Sequence, residues 1–269
     1  METDQKQGSN PTGDVFGYED FWQTSYARFQ GLFDALRQLI LLGNDVLAAG
    51  DACAVDPVQK LLCNFVRMTV NAACEVIILC GNGCGAGAIK IVRGMYETQW
   101  TAEYLRQNPQ EAENYLEFGK VIIWRKLQWM RQNHPAGTIG LSAEVIQEIE
   151  DNYRNAAPRF TGKNGKVRHR WSEKSIGEIA KCIGKQLQYE LPYSIACSIH
   201  HSNFEGLTAH FEHDQDSVEF AHPPTERWIE RALIAAASNV YFVLKTLNNC
   251  CGLGFATQID EEGNQLSAR

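Results

Sequence analysis

Glu75-Val-Ile-Ile-Leu-Cys-Gly-Asn-Gly-Cys-Gly-Ala-Gly-Ala88 decides the fold. An apolar run that ends in alternating glycines reads in two ways. As a strand, Val76 to Leu79 would feed the turn Gly81-Asn82-Gly83-Cys84-Gly85-Ala86, a GxGxxA pattern whose backbone cradles a pyrophosphate at the start of the helix that follows. As a helix, the run would continue the spacing of the residues before Glu75, and the glycines would mark a break or a crossing where small residues let backbones approach. The helical reading prevails on three grounds. The one further strand that can be drawn, Val121 to Trp124, ends in Arg125 and Lys126, where a dinucleotide site needs an acid for the ribose. The residues leading into Glu75 carry a helical period. No later strands complete a sheet.

Helical spacing extends to both sides. Upstream, Phe21, Trp22, Tyr26, Phe29, Phe33, Leu36, Ile40 and Leu47 recur at steps of three, four and seven and form one apolar face. Asp56-Pro57 opens a second helix, which carries Leu61, Leu62, Phe65, Val66 and Val70. Downstream, Asn108-Pro109 reads as N-cap and first-turn proline with Glu111 behind it, ahead of Tyr115, Phe118, Ile122, Trp124 and Trp129. Ser175 and Glu178 have capping-box spacing before Ile179, Ile183 and Leu187. Pro192 marks a break and restart, and Pro223-Pro224-Thr225 opens the last helix, whose core stripe is Trp228, Leu233, Ala236, Val240 and Leu244. The expectation is an all-α, single-domain bundle of about seven or eight helices. It spans residues 18–251, between a polar, flexible tail over 1–17 and another over 252–269.

With 269 residues and 44% hydrophobic content the chain can bury a full core. The start Met1-Glu-Thr-Asp-Gln has no apolar stretch of the signal-peptide kind, and the uncharged runs fall short of the roughly 20 residues that a bilayer demands, so no membrane partner is expected. Nine cysteines are scattered through apolar, helix-like segments without a CxxC pair, which suits buried thiols in the reducing cytoplasm. A net charge of −7 argues against general polyanion binding. The stretch 159–174 is a local exception. Arg159, Lys163, Lys166, Arg168, Arg170 and Lys174 stand there against the single acid Glu173, with Phe160 and Trp171 interleaved. Such a segment can hold the phosphates of RNA or a nucleotide and stack a base, with Arg168 and Arg170 as contacts; the other reading is a solvated loop between helices.

Two constellations carry chemistry. Arg93 and Glu97 lie four apart on one helix face within a largely apolar stretch. They read either as a structural ion pair or as part of a site. Five of the seven histidines, His200, His201, His210, His213 and His222, fall between 200 and 222. His210, His213 and His222, with neighbouring carboxylates, suggest a divalent metal held by a helix, His210 and His213 being three apart. The spacing is not HExxH, and no second helix offers a matching ExxH pair.

The segment Ile91-Val92-Arg93-Gly94-Met95-Tyr96-Glu97, followed by Tyr193-Ser194, Ser198, His200 and Ser202, resembles the uncharacterised bacterial helical proteins grouped as domain of unknown function 5677, DUF5677. The resemblance spans about residues 20 to 250 and implies a helical bundle in which the Arg/Glu helix faces the Ser/His helix. It implies no activity. More loosely, the chain is similar to the HEPN class of helical ribonucleases and nucleotide-binding modules of prokaryotic defence. Those proteins place Arg and His about a turn apart on one helix. Here Tyr193 and Ser194 stand upstream of His200 and His201, so Arg93 would have to serve from another helix. Three functional readings follow. The first is a polar interhelical pocket with Arg93, Glu97, Ser198 and His200 as reacting groups, and Tyr193, Ser194 and His201 beside the ligand, that binds a nucleotide or cleaves RNA. The second is a His/carboxylate metal site. The third is a non-catalytic module that works by contact with a protein partner or further copies of itself, consistent with the lack of a complete catalytic motif.

Overall fold

In the computed structural model, which describes residues 19–134, 140–208, 210–213, 218–220 and 224–267, the deciding stretch is helix, turn and helix. The elements run α1 (Glu19–Cys53), α2 (Pro57–Gly81), α3 (Gly85–Gln107), α4 (Glu111–Asn133), α5 (Ala143–Ala156) and a 3₁₀ turn (Ala157–Phe160). After them come α6 (Ile176–Cys182), α7 (Gln186–Gln188), a π turn (Tyr189–Tyr193), α8 (Ser194–His201) and α9 (Phe204–Thr208). A short antiparallel ribbon, β1 (Phe211–His213) and β2 (Val218–Phe220), precedes α10 (Ile229–Cys251) and α11 (Ala256–Ser267). The fold is all-α apart from that ribbon. It has more helical segments than seven or eight, because α6, α7 and α9 are pieces of one or two turns, too short for an apolar period to reveal.

The glycines of the deciding stretch serve close contact. A Cβ on Gly81 would sit 2.2 Å from the Trp22 ring, and one on Gly85 would sit 2.2 Å from the Arg227 carbonyl. Gly83 has φ +68° and lies against Pro224, where Thr225 donates its N–H to the Gly83 carbonyl. The turn between α2 and α3 is thereby seated on the segment leading into α10. α2 begins as expected, with a capping box between Asp56 and Gln59, and so does α6, between Ser175 and Glu178.

Four long helices, α1, α2, α3 and α10, pack against one another and bury Leu36, Leu62, Val76, Trp100, Leu233 and Leu244. α2 is long and apolar enough to cross a membrane by length and composition, at a mean hydropathy of 1.5, but 50% of that window is buried within the bundle, as in a core helix. α4 and α5 pair beside this core, and α6 and α8 lie on α3.

Three expectations change. α4 starts at Glu111 because residues 109 and 110 form a turn closed by the Glu111 N–H on the Asn108 carbonyl. α10 starts at Ile229 because Trp228 adopts φ +70°, which no helix propagates. Residues 256–267, expected as a loose tail, form α11 against α10, with Ile259 buried and Asp260 bonded to Lys245 and the Tyr241 hydroxyl.

Candidate functional site

The inward side of α3 buries Ile89, Val92, Tyr96 and Trp100, which leaves Lys90, Arg93 and Glu97 on a neighbouring strip. α8 approaches that strip. Pro192 has no N–H to give to a regular helical ladder, and the chain passes it in a π turn and runs on into α8. Pro192 is therefore a widened turn and not a break. Tyr193, Cys197 and His200 then share one face by their spacing of four and seven. Tyr193 is fixed by rings: it stacks on Tyr189 at 5.3 Å and packs on Trp100 at 5.0 Å and Tyr96 at 6.4 Å.

Arg93 and Glu97 form an ion pair of 2.9 Å, and the Tyr193 hydroxyl donates to the same Glu97 oxygen, Oε1, at 2.7 Å. Arg93 also directs Nε at the Cys197 sulfur, 3.3 Å away, and holds its guanidinium 5.8 Å from the centre of the Tyr193 ring. The side chains of Arg93 and Glu97 are 23% and 36% exposed, so the pair lies at the edge of the interior rather than within it. Burial and the Glu97 bond push the Tyr193 phenol well above its ordinary range, which keeps it a donor. Burial opposes the Arg93 charge, but the Cys197 contact and Glu97 outweigh it and raise the guanidinium.

His200 is exposed at the edge of this group, with its ring 5.0 Å from that of His201, which is exposed as well. Its imidazole is shifted down, first by the water it loses, then by repulsion from Arg93, His201 and Lys90, with Glu97 acting against them. Ser194 is exposed next to Tyr193. Ser198 is turned the other way. It is buried, its Oγ accepts from Asn203 Nδ2 at 3.3 Å, and its carbonyl lies so near Gly206 that a Cβ there would meet it at 1.9 Å. It belongs to the corner between α8 and α9, a turn of roughly 100° away from Cys197. Cys197 and Lys90 were missed in the sequence. The i, i+4, i+7 row of Tyr193, Cys197 and His200 was the signal for Cys197.

The basic segment divides. Arg168 holds the loop together: it donates to the Trp171 carbonyl at 2.7 Å, lies 5.1 Å from the centre of the Phe160 ring and pairs with Glu173 at 3.4 Å. Arg125 reaches in from α4 to the carbonyls of Val167 and Arg168. Arg159 pairs with Glu113. Arg170 is exposed and lines a cavity with His169, Trp171 and Lys174.

Of the expected metal site, neither His210 nor His213 is on a helix. His210 lies in a turn with its ring stacked on Phe220 at 5.5 Å, His213 is a position in β1, and His222 lies outside the described residues. Among the described residues no group of three or more His, Cys, Asp or Glu side chains is arranged to hold a metal. The His210 imidazole is shifted down by burial and by Lys90 and Arg227, cations that oppose a metal dication there as well.

The model of a family of unknown function, DUF5677, matches residues 59–218, more than half of the chain. No curated protein and no solved structure matches it. The matched span holds both faces of the α3–α8 group and the basic segment, but neither α1 nor α10.

Proposed function

The chain belongs to the DUF5677 family, a family of unknown function, and we propose that the α3–α8 face of this helical protein handles the phosphate of a nucleotide or of an RNA strand. The observation that supports it is the contact of α8 with α3: Tyr193 and Cys197, which share a face of α8 with His200, bond to Glu97 and Arg93, and the His200 imidazole is shifted down first by the water it loses and then by the Arg93, His201 and Lys90 charges. Tyr193 and Ser194, not an arginine, stand a turn or two upstream of His200, so Arg93 serves from the neighbouring α3. Lys90 and Arg93 offer positive charge to a phosphate, and Glu97 with Tyr193 holds the guanidinium in place. His200, kept neutral further into the acid range than a free imidazole, is suited to accept a proton from an attacking hydroxyl.

The test is a degradation and binding assay on a labelled RNA oligonucleotide, with a 5′-nucleotide as the second ligand. His200→Ala is expected to melt like the parent and to lose degradation while still binding. Lys90→Ala removes one phosphate contact and is expected to flatten the salt dependence of binding by about one unit of slope. It also relieves His200 of a positive neighbour. The imidazole pKa then rises, and the acid limb of the pH–rate profile moves to higher pH. A parent protein that neither binds nor degrades either ligand would end this reading and leave the interaction module.

A further inference from the structure

A cavity of about 540 Å³ opens between α2, α3, α4 and the loop that leads into α6, with Gly94, Glu97, Thr98 and Thr101 of α3 in its wall. Its volume falls within the range of small-molecule sites, about 300–1,000 Å³. The walls are apolar. Tyr115 meets Phe65 and Trp171 edge to face, with ring centres 5.5 and 5.3 Å apart, and Met68 and Ile122 remain 56% and 42% exposed. The rim is cationic: among the described residues neither Arg170 nor Lys174 forms an ion pair, and the Lys174 ammonium lies 3.4 Å from the Tyr104 hydroxyl and 5.7 Å from the centre of its ring. Glu178, which lies near both, is committed to the cap of α6 through the Ser175 N–H and hydroxyl.

Two glycines line this cavity, Gly94 in the middle of α3 and Gly119 in the middle of α4. Glycine inside a helix is unfavourable relative to alanine and needs a reason. Elsewhere the reason is contact: a Cβ on Gly43 would sit 2.8 Å from Val70, and one on Gly50 would sit 3.2 Å from the Cys63 sulfur. At Gly94 and Gly119 an added Cβ would meet nothing within 4 Å, and neither residue has a positive φ. Packing and backbone conformation both leave them unexplained. What the two have in common is the empty volume they border.

We infer that this cavity is a binding site for a small amphipathic anion, bordering the α3–α8 face at Glu97, whose carboxylate is already engaged by Arg93 and Tyr193: a flat apolar body enters between α2 and α4, and a single anionic group stays at Arg170 and Lys174. The glycines keep the room for that body. The inference goes beyond the phosphate reading and uses none of its residues as variants.

The probe is 8-anilinonaphthalene-1-sulfonate titrated into the full chain, with N-phenyl-1-naphthylamine as the same body lacking the sulfonate. The parent is expected to bind one equivalent of the sulfonate. Gly119→Leu fills the space, so its midpoint of melting should rise while affinity for both dyes falls at least about tenfold; Gly119→Ala should raise the midpoint with a smaller loss. Arg170→Ala combined with Lys174→Ala should weaken the sulfonate about tenfold and leave the uncharged dye within about twofold. Unchanged dye binding by Gly119→Leu, or a lowered midpoint in both Gly119 variants, would overturn the inference. So would an equal loss of both dyes in the charge variant. RNA handling by the α3–α8 face is measured separately and bears on neither outcome.

Discussion

At the residue scale, one oxygen of Glu97 receives two donors of different kinds. Arg93 is a cation at the edge of the interior, while Tyr193 brings a hydroxyl on a ring that is only 5% exposed. Exchanging Glu97 for Gln removes the charge but keeps an acceptor for the phenol, and the ion pair is too exposed to be costly to lose. Glu97→Gln is expected to lower stability by about 1 kcal/mol or less. Glu97→Ala also strands the buried hydroxyl, which costs about 1–3 kcal/mol more. Urea melts of the two variants separate these contributions, and equal losses would mean that Tyr193 finds another acceptor. The sequence pointed to Arg93 and Glu97 as a pair drawn inward. It could not set the depth, since burial here depends on how far α8 overhangs α3, a tertiary distance with no trace in local spacing. It placed Ser198 in the site for a related reason. A residue next to a functional one in sequence is turned about 100° from it on a helix, and only the phase of α8, displaced by the π turn, tells which neighbour faces α3.

At the element scale, ends carry chemistry that sequence displays directly. Asp56 accepts from the Gln59 N–H at 2.9 Å, while Gln59 accepts from the Asp56 N–H at 3.3 Å. Asp56→Ala is therefore expected to cost about 1 kcal/mol, read as a lower urea midpoint at unchanged slope; an unshifted midpoint would mean that the α2 end frays in the native state. The sequence located the start of a helix at the short side-chain cap Asp56 and at or near Ser175, but not at Ser142, which caps α5 through the Val145 N–H. Where a backbone irregularity starts one, as at Trp228, nothing in the proline-rich approach revealed it. The ribbon after α9 was legible but overlooked. Val218-Glu219-Phe220 alternates apolar and polar residues with a period of two, and it pairs with Phe211-Glu212-His213 so that Phe211 stands opposite Phe220. The helical reading of His210 and His213 followed from their spacing of three alone, and a spacing of two positions carries no period. For the basic segment, the charges were plain, but the division between Arg168, which holds the loop, and Arg170, which faces a cavity, is set by α4 supplying Arg125 from outside the segment.

At the scale of the whole molecule, the family match and the core do not coincide. Residues 59–218 contain α3, α8 and the loop of the cavity, yet the apolar faces that hold α2 and α3 in place are completed by α1 and α10. Ile229, Leu233, Ala236, Val240 and Leu244 are all buried on α10, and the turn that joins α2 to α3 is seated on residues 224–229 through Gly83 and Gly85. Without those partners Leu62, Val66, Val70, Val76, Val92 and Met95 would lose covers that leave them at most 5% exposed. Each fully exposed side chain of this size costs about 1.5–3 kcal/mol, and six of them together are as large as the whole stability of a typical domain, about 5–15 kcal/mol. A fragment of residues 57–220, though it carries every residue proposed here for phosphate handling and for the amphipathic site, is therefore expected not to fold by itself. Circular dichroism should show reduced helix and a melt without a cooperative transition, and the fragment should bind neither RNA nor the sulfonate dye specifically. A cooperative melt close to that of the full chain would mean that α2, α3 and α4 form a self-sufficient unit, with α1 and α10 acting as an outer layer.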